Sequence, residues 1–421
     1  MWMQTYDRKG RPLADGWVHL KWAIQREHNP IIQVEMLEPD LNQSKKFILS
    51  SAVDDGSNRF ANVLSDGNVD VDYDRGTRRT AELTILNPTA EFTPTTAGFE
   101  QDGDWEGLLY LNRVVRIWRG ANTQSGEIYV PVGTFLVDGA EVIMEQNMSI
   151  VNLTLSDFWK RLTKSYFGIN KKYPAGTYKN AIIKDMLDSA GVARTGKYHA
   201  VLDDLSNRSI DGRKIGKAMK FSRGDSRGDI LKNLAKDWNI DMYFDPYGVF
   251  RTEDRKTDRD RRVVWTWESQ ELDDKGGNGG IISITRSFND DNLYNHVIII
   301  GTGNEKQVYK ATRQVTNTAS KFHKDKIGDR VFLKESDNWN SQSDVDEAMK
   351  RIWGKRIQFS ESISAEVICN PALEADDKVR IVERDFVKVA DNYRLRRFTV
   401  PLVTSKQSVE MTNIIRDEDI W

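Results

Sequence analysis

A chain of 421 residues, 39% hydrophobic and 29% charged, is too apolar to be disordered and long enough for roughly two to four domains with buried cores. Its 61 Lys and Arg nearly balance 63 Asp and Glu, which argues against a dedicated nucleic-acid binder, because such proteins gain affinity by neutralising phosphates. A single cysteine, Cys369, excludes intrachain disulfides and a cysteine-based metal site, and in the apolar stretch Ala365 to Cys369 it reads as a small core residue.

Residues 1–45 carry mixed signals and read as an N-terminal arm or extra strands. The opening Met-Trp-Met-Gln-Thr-Tyr-Asp-Arg-Lys-Gly is too polar for a signal peptide, and no apolar run approaches the ~20 residues of a membrane span. A soluble protein made in a cytoplasm is the expectation. Val18 to Ile24 is compatible with a strand, and Pro30 to Met36 alternates well enough to be one. Residues 46–160 are nearly all strand and turn. Ala81, Leu83 and Ile85 share one face while Glu82 and Thr84 share the other, and Asn87-Pro88 ends that strand. A barrel or sandwich follows from such a pattern.

Composition changes near Phe158, and residues 161–262 read as a small α+β domain. A helix over Thr177 to Gly191 carries the stripe Ile182, Ile183, Met186, Leu187, Ala190. Ser226-Arg-Gly-Asp229 starts a second helix with buried face Ile230, Leu231, Leu234, Ala235, Trp238. A hairpin follows, Ile240 to Phe244 and Val249 to Thr252 around the turn Asp245-Pro-Tyr-Gly248. Residues 263–421 return to strands, interrupted by a helix at about 343–357 that Ser343 caps and that buries Val345, Met349, Ile352 and Trp353.

The strand layout occurs twice. Val69–Tyr73 is echoed by Ile282–Phe288, Arg79–Leu86 by Tyr294–Ile300, and Asn112–Trp118 by Asp377–Val382. Gly133–Val137 with Ser149–Leu155 is echoed by Tyr393–Phe398 with Gln407–Thr412. A duplicated β-module points to a chain that occupies two equivalent places in a symmetric assembly, which catalysis does not require.

Chemical motifs are weak throughout. His19, His28, His199, His296 and His323 show no i, i+3 or i+4 pair, so they read as ordinary surface or strand residues. Gly301-Thr-Gly303 follows an apolar strand but lacks the third glycine of a dinucleotide fingerprint, and strand-like text follows it; a hairpin turn is the reading. Asp66 to Asp70 departs from a calcium loop at Val71 and Thr77. Arg255 to Arg262 mixes basic and acidic residues and reads as a solvated loop; Gly276 to Gly280 reads as a connector. No G-x-S-x-G motif is present, and the 12 Trp and 13 Tyr read as core and interface anchors. No catalytic, cofactor or metal residue is therefore assigned. Asp70, Asp72 and Asp74 alternate along one strand and share a face. One reading is a solvated face paired with Arg75, Arg78 or Arg79. The other is an acidic stripe lining a channel, where like charge keeps passing DNA from sticking.

The order β-module, helix, "Asp-Ile-Leu-Lys-Asn-Leu-Ala-Lys-Asp-Trp-Asn-Ile-Asp-Met-Tyr-Phe-Asp-Pro-Tyr-Gly", β-module resembles the baseplate hub proteins of tailed phages, those of Mu-type tails among them. The stretches Val69-Asp-Val-Asp-Tyr-Asp-Arg-Gly and Glu82-Leu-Thr-Ile-Leu-Asn-Pro-Thr also look like minor tail proteins of siphophages infecting actinobacteria. The resemblance spans about residues 45–415, and the first ~45 residues have no place in it. It implies a mainly β fold of two tube-like β-barrel or sandwich modules flanking a small α+β domain, with no catalytic residues and no cofactor. It further implies a homotrimer at the tail tip of a virion, whose six modules continue the tail tube with pseudo-sixfold symmetry. Partners would be the distal tail protein or tail tube, the tape measure protein and tip or fibre proteins, with DNA only in passage. The alternative from another class is a tail component that binds or degrades host-envelope glycans.

Overall fold

The computed structural model describes residues 4–7, 11–24, 29–37, 45–50, 62–88, 90–93, 109–145, 148–192, 213–254, 262–269, 280–291, 293–302, 307–337, 339–356 and 360–413. Two short strands, β1 (Thr5–Tyr6) and β2 (Pro12–Leu13), precede helix α1 (Gly16–Ile24). Strands β3 (Pro30–Leu37), β4 (Lys45–Ser50), β5 (Leu64–Asp72), β6 (Arg79–Leu86), β7 (Val114–Thr123), β8 (Gly126–Glu145) and β9 (Met148–Ser156) follow. Next come α2 (Trp159–Thr163), β10 (Lys171–Tyr173), α3 (Lys179–Ser189), β11 (Met219–Phe221), α4 (Arg227–Trp238), β12 (Ile240–Phe244) and β13 (Phe250–Asp254). The remainder is β14 (Val263–Glu268), β15 (Ile281–Asn289), β16 (His296–Gly301), β17 (Tyr309–Gln314), α5 (Lys324–Ile327), β18 (Val331–Ser336), α6 (Gln342–Arg356), β19 (Ser360–Ile368), β20 (Lys378–Glu383), β21 (Val389–Pro401) and β22 (Lys406–Asn413). The fold is mainly β with a helical minority.

The duplication is visible in strand pairing. The first copy runs β5-β6-β9-β8-β7 and the second β15-β19-β22-β21-β20, each strand hydrogen-bonded antiparallel to the next. Core residues fall at matching places: Ala81 faces Leu155 and Leu83 faces Leu153 in one copy, Ile363 faces Met411 and Ala365 faces Val409 in the other. Irregularities match too. A register shift lies between Leu64 and Asp66 and again between Ile281 and Ser283; another lies between Val137 and Gly139 and again between Leu395 and Arg397. Bulges are placed features of a sheet, so shared bulges mark a shared template better than shared hydrophobicity does.

One expected equivalence is wrong. The counterpart of β6 is β19, not the Tyr294–Ile300 stretch, because β15 pairs with β19. His296–Gly301 instead centres a separate three-stranded sheet, β17-β16-β18, against which α6 packs. Val297, Ile299, Trp339, Val345, Met349 and Trp353 form a core of their own there. Gly301 is a glycine because a Cβ would stand 2.7 Å from the Trp339 carbonyl oxygen and from Val345. The cap of α6 is Ser341, two residues earlier than expected: its Oγ accepts from Asp344 N (3.2 Å) and donates to Asp344 Oδ2 (2.8 Å).

Val18 to Ile24 is helical in α1 rather than extended. A strand would place Val18 on the same face as Leu20 and Ile24, but Val18 is 56% exposed while Leu20 and Ile24 are buried, the spacing of one helix face. The β3 strand forms as expected and joins the main sheet between β4 and β7. Residues 177–192 and 213–250 condense around Ile182, Ile183, Met186 and Leu187 of α3 and Leu231, Leu234 and Trp238 of α4, with Leu37, Val114 and Leu136 of the main sheet completing that core. Each such fully buried aliphatic side chain contributes about 1.5–3 kcal/mol. Ser226 caps α4 by accepting from Asp229 N (3.3 Å), and Asn239 closes it at φ 58°.

Candidate functional site

The two copies do not stand apart. Strand β21 of the second pairs antiparallel with β5 of the first, from Arg397 opposite Asp72 to Pro401 opposite Asn68, so both belong to one continuous sheet. Val71 faces Phe398 and Val69 faces Val400, all four buried, which makes this seam part of a single apolar core shared by both copies. On the other face Asp70 accepts a hydrogen bond from the Thr399 hydroxyl. Gly67 lets the seam close: a Cβ there would meet the Glu82 carbonyl oxygen at 2.7 Å and Leu402 at 2.9 Å, where Leu402 N donates to Gly67 O (2.9 Å).

Two buried arginines staple the same junction. Arg119 on β7 donates to the carbonyls of Pro401 and Thr404 (both 2.8 Å), and burial lowers its pKa. Arg79 on β6 is 1% exposed and touches three parts of the chain at once. Its guanidinium donates to Phe244 O (2.8 Å) in the helical segment and pairs with Glu374 in the second copy. Its backbone N–H donates to Asp157 Oδ2 (3.0 Å), whose Oδ1 accepts from Trp159 N (2.9 Å) where β9 passes into α2. Burial pushes the Asp157 carboxyl up to about 6, against the opposing pull of these backbone donors. Asp245 in the β12–β13 turn is raised to about 6 for the same reason. Arg78 lies 3.9 Å from the Tyr243 ring centre, and Tyr73 donates to Asp241 Oδ1 (2.8 Å), which ties β5 to β12.

The three acidic residues singled out from sequence lie at this seam. Asp70 and Asp72 sit on the β5 face opposite Val69 and Val71, and Asp74 lies past the end of the strand. Each has a partner: Asp70 the Thr399 hydroxyl, Asp72 the Arg75 guanidinium (3.0 Å), Asp74 the Arg396 guanidinium. Arg79, considered a partner for that stripe, points instead to Glu374. The other motifs resolve blandly. Gly301 ends β16, and the next described element is its antiparallel partner β17; Gly303 lies outside the described residues. Asp66 to Asp70 is extended within β5 and cannot wrap an ion. His323 caps α5 by accepting from Asp325 N (3.3 Å), and His296 lies 3.6 Å from Asp329. Among the described residues no group of three His, Cys, Asp or Glu could hold a metal, and no helix is long and apolar enough to cross a membrane. His28, His199, residues 255–261 and residues 276–279 lie outside the described residues.

Sequence reasoning found the strands of this junction but missed Arg119, Glu374 and Thr399. Their partners lie far away in the chain: Glu374 stands 295 residues from Arg79.

No protein-family model and no curated protein sequence matches the chain. Solved structures do match over nearly its whole length. The tail protein from Neisseria meningitidis MC58 is similar with a TM-score of 0.59 at 10% identity, covering 92% of this chain and 98% of its own. The 43 kDa tail protein of prophage MuSo2 from Shewanella oneidensis gives 0.51 at 9%, covering 93% and 100%. The prophage tail protein gp18 from Listeria monocytogenes EGD-e gives 0.50 at 9%, covering 93% and 96%. The fold is that of phage tail proteins.

Proposed function

We propose that this chain is a structural virion protein, the trimeric hub at the distal end of a phage tail. The observation that carries this reading is the duplicated five-stranded unit joined through β5 and β21: one chain supplies two equivalent positions, so three chains supply six. A sixfold tube can then be continued by a threefold tip. The likeness to phage tail proteins supports the same reading, as does a junction built from buried arginines and apolar pairs rather than from a reactive constellation. On this reading the neighbours are the distal tail protein or tail tube, the tape measure protein and tip or fibre proteins, and DNA only passes through. The β5 face bearing Asp70 and Asp72, with Asp74 just beyond the strand, lines that passage, its field reduced by Arg75 and Arg396. Labelling tail particles with an antibody against the chain, under the electron microscope, tests the placement. Label at the tail end distal to the capsid is expected; label on the capsid or along the shaft would refute it.

A further inference from the structure

Inside the chain, β21 continues past its partner β20 and offers the next stretch of the same edge, Arg397–Pro401, to β5. The first copy has the same parts but not the same closure. Strand β8 pairs with β7 only as far as Leu136 and with β9 from there to Glu145. The edge of β8 from Gly139 to Ile143, which corresponds through the shared bulge to Arg397–Pro401, has no strand against it among the described residues. Conversely β15, the counterpart of β5, pairs with β19 alone and ends the described sheet. Each chain therefore shows one acceptor edge and one donor strand of a seam whose finished form it also contains.

At two positions the side chains of the open edges complement one another as those in the closed seam do, with the roles exchanged; at a third, Arg286, paired with Glu361, stands where the seam has Val69. Val71 faces Phe398 in the closed seam; at the matching place Phe288 would face Ala140, large and small swapped between strands. The Asp70 carboxylate meets the Thr399 hydroxyl; the matching pair is the Ser287 hydroxyl and the Glu141 carboxylate. Exposure fits an uncovered contact. Phe288 is 60% exposed where Val71 is 1%, and Val142 is 41% exposed where Val400 is 1%. A bare strand edge beside exposed apolar side chains is a template for another strand.

We propose that β15 of one copy adds antiparallel to β8 of a second copy of this chain, with Asn289 opposite Gly139, Phe288 opposite Ala140, Ser287 opposite Glu141, Arg286 opposite Val142 and Thr285 opposite Ile143. The inference rests on the ring assembly proposed above and names the contact that closes it. The interface is head-to-tail, so every copy uses both edges and a ring is completed when the last β15 meets the first β8.

The test uses Cys369→Ala as background, with Glu141→Cys and Ser287→Cys made in separate chains, mixed and mildly oxidised. A disulfide-linked pair of chains that appears only in the mixture and disappears on reduction is expected. Glu141→Cys mixed with Arg286→Cys puts the second sulfur on the opposite face of β15 and is expected to give none. Asp70→Cys with Thr399→Cys in one chain closes the existing seam and shows that this register brings sulfurs within reach. Phe288→Asp, at a site already exposed in the single chain, is expected to weaken association at least about tenfold while leaving the circular dichroism spectrum unchanged. Sedimentation in parallel separates the two ideas. Copies that associate while the Glu141→Cys and Ser287→Cys mixture stays unlinked overturn the β15–β8 pairing and leave the ring standing; copies that remain monomeric and unlinked at the highest soluble concentration overturn both.

Discussion

Replacing Arg79 by Met keeps the length of the side chain and removes its charge at the point where three parts of the chain meet. Two contacts are lost, the donation to Phe244 O (2.8 Å) and the pair with Glu374. A hydrogen bond from a charged group contributes about 1.5–3 kcal/mol, and breaking one side of a buried ion pair costs about 3–5 kcal/mol. The Glu374 side chain keeps 23% exposure and still accepts from Ala375 N (2.9 Å), so water and backbone recover part of that cost. The expected loss is about 3–4 kcal/mol for Arg79→Met and about 1–2 kcal/mol for Glu374→Gln, which retains an acceptor. Because both variants break the same pair, the double variant should fall short of their sum by about 1–2 kcal/mol. Urea unfolding followed by tryptophan fluorescence measures the total loss, and amide hydrogen exchange in α4 and in β19 reports the helical segment and the second copy separately. Arg79→Met should also pull apart the transitions of those regions. A loss below about 1 kcal/mol, or additive single variants, would refute the idea that Arg79 couples the parts.

Asp157 sets a pH signature. Its carboxyl rises from 3.8 to about 6 on folding, through burial, so the folded chain holds the proton more tightly than the unfolded one. Stability from this group is full below pH 3.8 and is lost as pH rises through about 6. The wild-type advantage over Asp157→Asn should therefore shrink by about 3 kcal/mol between pH 3.5 and 7, measured by unfolding at each pH; a difference flat in pH contradicts it. Gly67→Ala forces a Cβ against the Glu82 carbonyl and Leu402 across the seam, and calorimetry should show a cost of about 1–3 kcal/mol, whereas an unchanged midpoint would mean that the β5–β21 closure is looser than described. Leu234→Ala in α4 opens a cavity in the helical core and should cost about 2–5 kcal/mol in urea unfolding, with faster amide exchange mainly in α4; an unchanged midpoint would contradict the packing.

What was legible in the sequence is what has a local period. Strand Arg79–Leu86 was bounded correctly because Ala81, Leu83 and Ile85 alternate with polar residues, and α3 and α4 were legible from their i, i+4 stripes and the Ser226 cap. Helix α1 was misread because Trp17, Val18, Trp22 and Ile24 are good strand formers, and only tertiary burial of Leu20 with Ile24 decides the matter. Pairing was harder still. An alternating segment declares itself a strand without naming its neighbour, so His296–Gly301 passed for the counterpart of β6 when it belongs to another sheet. The junction had no local signal: Arg79 is a buried cation in a polar-looking turn-to-strand passage, and its carboxylate comes from the far copy.

The proposed hub has six equivalent modules contributed by three chains. A density map of the tail tip, computed without imposed symmetry, measures this directly. It should show one ring of six similar β-units in which alternate seams are the β5–β21 joint within a chain and the β8–β15 joint between chains. A ring with six separate copies of the chain, or a single copy on the axis, would contradict it.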